Sequence, residues 1–93
     1  MSMEFERAIK IANKYGLHAR ASTRLAQLAQ KFQSDIYLAR EGTDEEVDGK
    51  SILGILTLGA EKGQTLQLRI SGDDAEAAMN ALVELIEDNF GED

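Results

Sequence analysis

Gly63-Gln64-Thr65-Leu66-Gln67-Leu68-Arg69-Ile70-Ser71-Gly72 runs directly into Asp73-Asp74-Ala75-Glu76-Ala77-Ala78-Met79-Asn80-Ala81-Leu82-Val83-Glu84-Leu85-Ile86. In the first half, Leu66, Leu68 and Ile70 alternate with polar residues between two glycines, the period of a strand with one buried face. In the second half, Ala75, Ala78, Met79, Leu82, Val83, Ile86 and, further on, Phe90 form the stripe of an amphipathic helix. Asp73 and Asp74 open it as N-terminal acids, and Gly91 marks its close. A half-apolar strand followed at once by a half-apolar helix buries its surface most simply by packing one on the other, the unit of an α+β layer.

Working outward, the strand period returns twice. Phe5, Ile9 and Ile11 share one side of the stretch Phe5–Ile11, interrupted by Arg7, and Ile36 and Leu38 alternate ahead of Arg40 and Glu41. A further short strand is expected near Glu45–Gly49. Leu25, Leu28, Ala29 and Phe32 stripe one face of a helix predicted from about Ala19 to Gln33. The string Ser51-Ile52-Leu53-Gly54-Ile55-Leu56-Thr57-Leu58 is too short and too apolar to assign by period. Ser51 can cap a short helix there, with Ile55 and Leu58 in the core, despite Gly54 within it. The predicted fold class is α+β, with helices on one face of an antiparallel sheet and the other face in water.

The 93 residues suit one domain, 1–93. No cysteine is present, which removes disulfides, thiolate metal sites and cysteine nucleophiles, and a single histidine argues for no metal site. Ten Lys+Arg against 17 Asp+Glu give a formal charge of −7, the wrong sign for a nucleic-acid partner. No apolar run approaches the ~20 residues of a membrane span, and charges scattered through the first residues speak against a secretory signal. The expectation is a cytoplasmic protein that does not insert into membranes.

The one histidine lies in Tyr15-Gly16-Leu17-His18-Ala19-Arg20, where a loop becomes a helix. Free N–H groups at a helix start favour anions, and Arg20 adds a planar cationic fork suited to phosphate oxygens. Imidazole can offer a bare ring nitrogen at neutral pH. These parts describe a place where a phosphoryl group could arrive, rest and leave. Alone, though, a histidine at a helix start is equally an exposed cap with Leu17 stapling the helix to the core, and spacing leaves both readings open. Two other patterns fail on inspection. Gly49-Lys50-Ser51 lacks the spacing of a phosphate loop. Asp44, Glu46 and Asp48 imitate a calcium loop, but its twelfth position would be Ile55. Glu84, Glu87, Asp88, Glu92 and Asp93 read as the wet side and frayed end of the last helix.

Gly16-Leu17-His18-Ala19-Arg20-Ala21 resembles the active-site motif of the HPr family, the histidine phosphocarriers of the bacterial phosphotransferase system. Lys50-Ser51-Ile52-Leu53-Gly54-Ile55-Leu56-Thr57-Leu58-Gly59 resembles that family's second motif, around its regulatory serine. The likeness covers essentially the whole chain. It implies an open-faced β-sandwich, a four-stranded antiparallel sheet with three helices on one face. It also implies that His18 takes phosphate on Nδ1 from phosphorylated Enzyme I and passes it to an Enzyme IIA component, with Arg20 steadying the phosphate. The protein would then be a monomeric covalent carrier rather than a turnover catalyst, needing no cofactor, with Ser51 a target of HPr kinase/phosphorylase. Ala21 stands where many members carry proline. With Asn13-Lys14 upstream, this resembles the nitrogen-related branch, NPr, and some proteobacterial HPr sequences, which leaves the acceptor open.

Ile52, Leu53 and Leu56 exceed what a two-turn helix can bury and predict an apolar docking patch beside His18. Leu17, Ala19, Arg24, Gln27 and Lys50 complete the expected partner-binding set, with Arg20, Arg24 and Lys50 as a local positive rim. The rival reading is a purely regulatory interaction protein controlled through Ser51, without phosphotransfer on histidine.

Overall fold

The computed structural model describes residues 3–92. Strands β1 (Met3–Lys10), β2 (Asp35–Arg40), β3 (Val47–Asp48) and β4 (Thr65–Gly72) and helices α1 (Ala19–Ala29), α2 (Ile52–Leu58) and α3 (Ala75–Glu87) follow in the order β1-α1-β2-β3-α2-β4-α3, with a 3-10 turn at Asn89–Gly91. The four strands form one antiparallel sheet in the spatial order β1-β4-β2-β3.

Register explains which side is covered. Phe5 faces Ile70, which faces Ile36, and Arg7 faces Leu68, which faces Leu38. These rows point towards the helices, where Ile36, Leu38, Leu66, Leu68 and Ile70 meet Leu25, Ile55, Leu82 and Ile86 in a continuous core. Arg7 breaks the apolar row without penalty because β1 is an edge strand and its side chain reaches water. The opposite rows carry Glu6, Arg69 and Tyr37, and no helix lies over them. There Arg69 bonds to Glu46 at 2.8 Å and Glu4 at 3.2 Å and lies 4.7 Å from the centre of the Tyr37 ring. Glu46, one of the acids of the apparent calcium loop, is thus engaged by an arginine, whose hydrogen bond holds its carboxyl below the ordinary range.

Several boundaries differ from those expected, each for a local reason. Helix α1 stops at Ala29, short of Gln33, and Lys31 and Phe32 donate to Leu28 and Ala29 in tightened i→i−3 bonds. The Gln33 and Ser34 amides then donate to the Asp74 carboxylate at 2.8 and 2.9 Å, which turns the chain into β2. Asp74 therefore precedes α3 without capping it through its side chain. Strand β3 shrinks to Val47 and Asp48, although Gly49 still donates to Ile36 O at 2.7 Å.

The last helix ends at Glu87 and not near Gly91. Phe90 nevertheless reaches the core, fully buried, by a different route: Asn89 and Phe90 both adopt left-handed backbone, at φ 54° and 58°. Two consecutive non-glycine residues there are costly, and burial of the Phe90 ring offsets that cost. Among the described residues no helix is long and apolar enough to cross a membrane.

Candidate functional site

The loop ahead of α1 is shaped by what it packs against. Gly16 lies at φ +60°, and a Cβ there would sit 2.5 Å from Ala60 O and 2.8 Å from Glu61 Cα. Leu17 donates its N–H to Ala60 O at 3.0 Å and buries its side chain. The loop is thus clamped to the segment leaving α2, and the next residue, His18, becomes the N-cap of α1 with extended backbone. Ser22 Oγ donates back to Leu17 O at 3.0 Å, and the Ser22 N–H donates to His18 O at 2.8 Å, so the first turn is fixed from inside.

The two ring nitrogens of His18 have different surroundings. Nδ1 accepts the Arg20 N–H at 3.2 Å, the capping bond of the helix. Nε2 points the other way and meets the Glu92 carboxylate. Tyr15 stands edge-on to the ring, with centroids 6.0 Å apart, and Lys14 Nζ lies 5.2 Å from the Tyr15 ring centre. Of the His18 side chain 29 % is exposed, against 15 % for Glu92. The ring is open to solvent on one side and lines a cleft of about 630 Å³ with Lys14, Tyr15, Arg20, Arg24 and Glu92.

Glu92 reaches this place because of the left-handed Asn89–Phe90 turn, which folds the segment through Glu92 back over the start of α1. Arg24 donates to Phe90 O from one side of the turn. Asn13 Nδ2 donates both to Gly16 O at 2.8 Å and to Glu92 Oε1 at 3.1 Å. Asn13 is buried, and its Oδ1 has no hydrogen-bond partner among the described residues. Such an orphan acceptor costs about 1–3 kcal/mol. Flipping the amide would set that oxygen against two other acceptors, so the amide is held for its donors. Burial pushes the Glu92 carboxyl upward, but bonds from Asn13 and His18 and the nearby Arg24 charge outweigh it and hold the group below its ordinary range.

The residues singled out in the sequence divide into three groups. His18, Arg20 and Arg24 share one cleft, with Ala19 at its edge. The Arg20 guanidinium makes no hydrogen bond or ion pair among the described residues, whereas Arg24 is engaged by Phe90 O. Ser51 is the N-cap of α2, its Oγ accepting the Gly54 N–H at 3.0 Å. Ile55 and Leu58 are buried, while Leu53 is 72 % exposed and Ile52 and Leu56 are also exposed, so the surplus apolar side chains do face solvent. Gln27 is exposed on α1, and Lys50 is half-buried with its carbonyl accepting Gln30 Nε2 at 2.9 Å.

Leu17 departs from the set expected to meet a partner. At 4 % exposure it belongs to the core and staples the loop, offering almost no surface. Glu92 departs in the opposite sense: it is not part of a frayed, water-facing end but is folded onto His18. Asp93 lies outside the described residues. Asn13, Tyr15 and Glu92 are the residues of the site that periodicity could not find, because they converge through a turn and not along an element.

The chain matches the family model described as the PTS HPr component phosphorylation site over residues 5–88. It is 46% identical over 88 residues to the phosphocarrier protein HPr of Xylella fastidiosa, covering 95% of this chain and 97% of that one. It is 39% identical over 89 residues to the phosphocarrier protein NPr of Shewanella violacea, covering 96% of each. Among solved structures, HPr-C-His from Thermoanaerobacter tengcongensis superposes with a TM-score of 0.89 at 46% identity, covering 96% of this chain and 98% of that one. Another, 48% identical with a TM-score of 0.74 over 90% of this chain and 94% of that one, is an HPr dimer from the same organism. With its sheet order, its histidine-capped first helix and this match over nearly its full length, the chain belongs to the HPr family of phosphocarrier proteins of the phosphotransferase system.

Proposed function

We propose that the protein carries a phosphoryl group on Nδ1 of His18, receiving it from phospho-Enzyme I and delivering it to an Enzyme IIA component. The observation that carries this reading is the environment of Nδ1: a nitrogen that accepts the Arg20 N–H, and so carries a lone pair and no proton, sits at the open end of a helix in a cleft shared with Arg20 and Arg24. A phosphate on that nitrogen meets unpaired first-turn N–H groups and the Arg20 fork. The exchange chemistry of such a carrier takes place in partner active sites in the cytoplasm.

The exposed Ile52, Leu53 and Leu56 form the apolar part of the docking surface, with Ala19, Gln27, Arg20, Arg24 and Lys50 as its polar rim. Relatives named HPr and NPr lie at similar identity, so the acceptor is an Enzyme IIA of the sugar or the nitrogen branch. Ser51, half-exposed at the start of α2, is a second phosphate position, filled by HPr kinase/phosphorylase.

Incubation with Enzyme I and phosphoenolpyruvate tests the main reading. Acid-labile, base-stable phosphate is expected on the wild type and none on His18→Ala. Phosphate that appears only with kinase and ATP, on Ser51, would replace relay by a purely regulatory role.

A further inference from the structure

We infer that Glu92 is a positioning residue for phosphoryl transfer: its carboxylate takes the Nε2–H of His18, holding the proton on that nitrogen and leaving Nδ1 unprotonated. The inference deepens the proposed function and rests on it for its kinetic part. Its structural part stands on the contacts around the ring. Nδ1 is committed as an acceptor by the Arg20 N–H, and Nε2 faces a carboxylate, which can only accept while ionised. Both bonds are satisfied by one tautomer of the neutral ring, the one protonated on Nε2. The other tautomer would set an N–H against the Arg20 N–H and a lone pair against a carboxylate.

Three features hold the carboxylate in place. Asn13 Nδ2 grips its other oxygen at 3.1 Å, with the orphaned Asn13 Oδ1 marking the cost of that orientation. Arg24 ties down Phe90 O, and the buried Phe90 ring anchors the left-handed turn just before Glu92. A strained turn, an unsatisfied buried amide oxygen and an arginine bond all serve to bring one acidic group to one ring edge. That edge is the one away from the nucleophile, so the carboxylate does not occupy the place of the incoming phosphate.

In the transfer step the Arg20 N–H leaves Nδ1 for a phosphate oxygen, the freed Nδ1 lone pair forms the new N–P bond, and the bond from phosphorus to the donor breaks, its electron pair leaving with the donor. The ring keeps its Nε2 proton and becomes a phosphoimidazolium with one positive charge. The Glu92 carboxylate, already bonded to that proton, compensates the charge as it appears. On delivery the N–P pair returns to Nδ1, and the ring is again neutral with its proton on Nε2. The arrangement parallels that of a carboxylate orienting an imidazole for acyl transfer, with phosphorus as the electrophile.

The test uses the full chain. Nitrogen-15 spectra of unphosphorylated, ring-labelled protein, taken where His18 is neutral, should show essentially one tautomer in the wild type and a mixture in Glu92→Ala. Glu92→Gln offers only one oxygen to the two donors, Asn13 Nδ2 and Nε2–H, and should shift the population part of the way towards that mixture. Loading by phospho-Enzyme I should slow about tenfold at saturating Enzyme I in Glu92→Ala, the low end of what losing a ring-orienting carboxylate costs. KM for Enzyme I should stay the same. Equal tautomer populations in wild type and Glu92→Ala would overturn the inference, as would loading that is unchanged or faster without the carboxylate. If His18 takes no phosphate in any variant, the phosphocarrier reading fails, while the spectra still decide whether Glu92 sets the ring.

Discussion

Gly16 and His18 show how little of a site needs to be catalytic. The glycine touches nothing that reacts, yet its left-handed backbone and missing Cβ let the loop lie on Ala60 and Glu61, and the imidazole is placed by that contact. Gly16→Ala combines a steric clash with a disfavoured φ and should lower stability by about 1–3 kcal/mol, measured from the urea midpoint. Phosphate uptake by the folded fraction should fall as well, because the cap geometry of His18 depends on the loop. The glycine was legible in the sequence as part of a motif, and so was the histidine. Glu92 was not: an acid near the end of an amphipathic helix looks like a solvated residue, and only the fully buried Phe90 reveals that the chain turns back.

Among the elements, α2 is the one whose sequence was hardest to assign and whose structure follows most directly from its ends. Ser51 caps it, Gly59 closes it in left-handed conformation, and its seven residues bury only Ile55 and Leu58. Because Ser51 Oγ already accepts a helix N–H, a negative group there suits the helix end, and Ser51→Asp should remain folded with a near wild-type melting temperature. Its loading by phospho-Enzyme I should nevertheless be slower, since the new charge lies beside the apolar docking residues. An equal loading rate would remove Ser51 as a control point. Strands β2 and β4 and helix α3 were legible because two- and three-to-four-residue periods survive in one face each. The ends of α1 and β3 were not, since a distant carboxylate and a two-residue pairing fix them.

For the molecule as a whole, Asp74 is a tie between halves of the chain. It joins the α1–β2 junction, through Gln33 and Ser34, to the β4–α3 junction on which it sits. The hydrogen bond from the Ser34 hydroxyl, helped by the Gln33 amide, holds its carboxyl below the ordinary aspartate range. A carboxyl lowered by folding adds stability that is fully present above its unfolded value and is lost as pH falls through the folded one. Asp74→Asn should therefore be less stable than wild type at neutral pH, and the gap between their urea midpoints should close below about pH 4, near the reference aspartate value. A gap that persists unchanged into acid would show that the carboxylate charge is not what the tie uses.

Met3 and Glu92, the first and last described residues, lie towards opposite ends of the first strand. Met3 pairs with Gly72, and seven residues later β1 ends at Lys10, close to Asn13, which holds Glu92. At about 3.3 Å per residue the strand alone separates them by roughly 23 Å. A bulky label carried near Met3 therefore stands clear of the phosphate position, whereas the same label carried near Glu92 lies against the imidazole, so the attachment point decides whether a labelled preparation can still be charged.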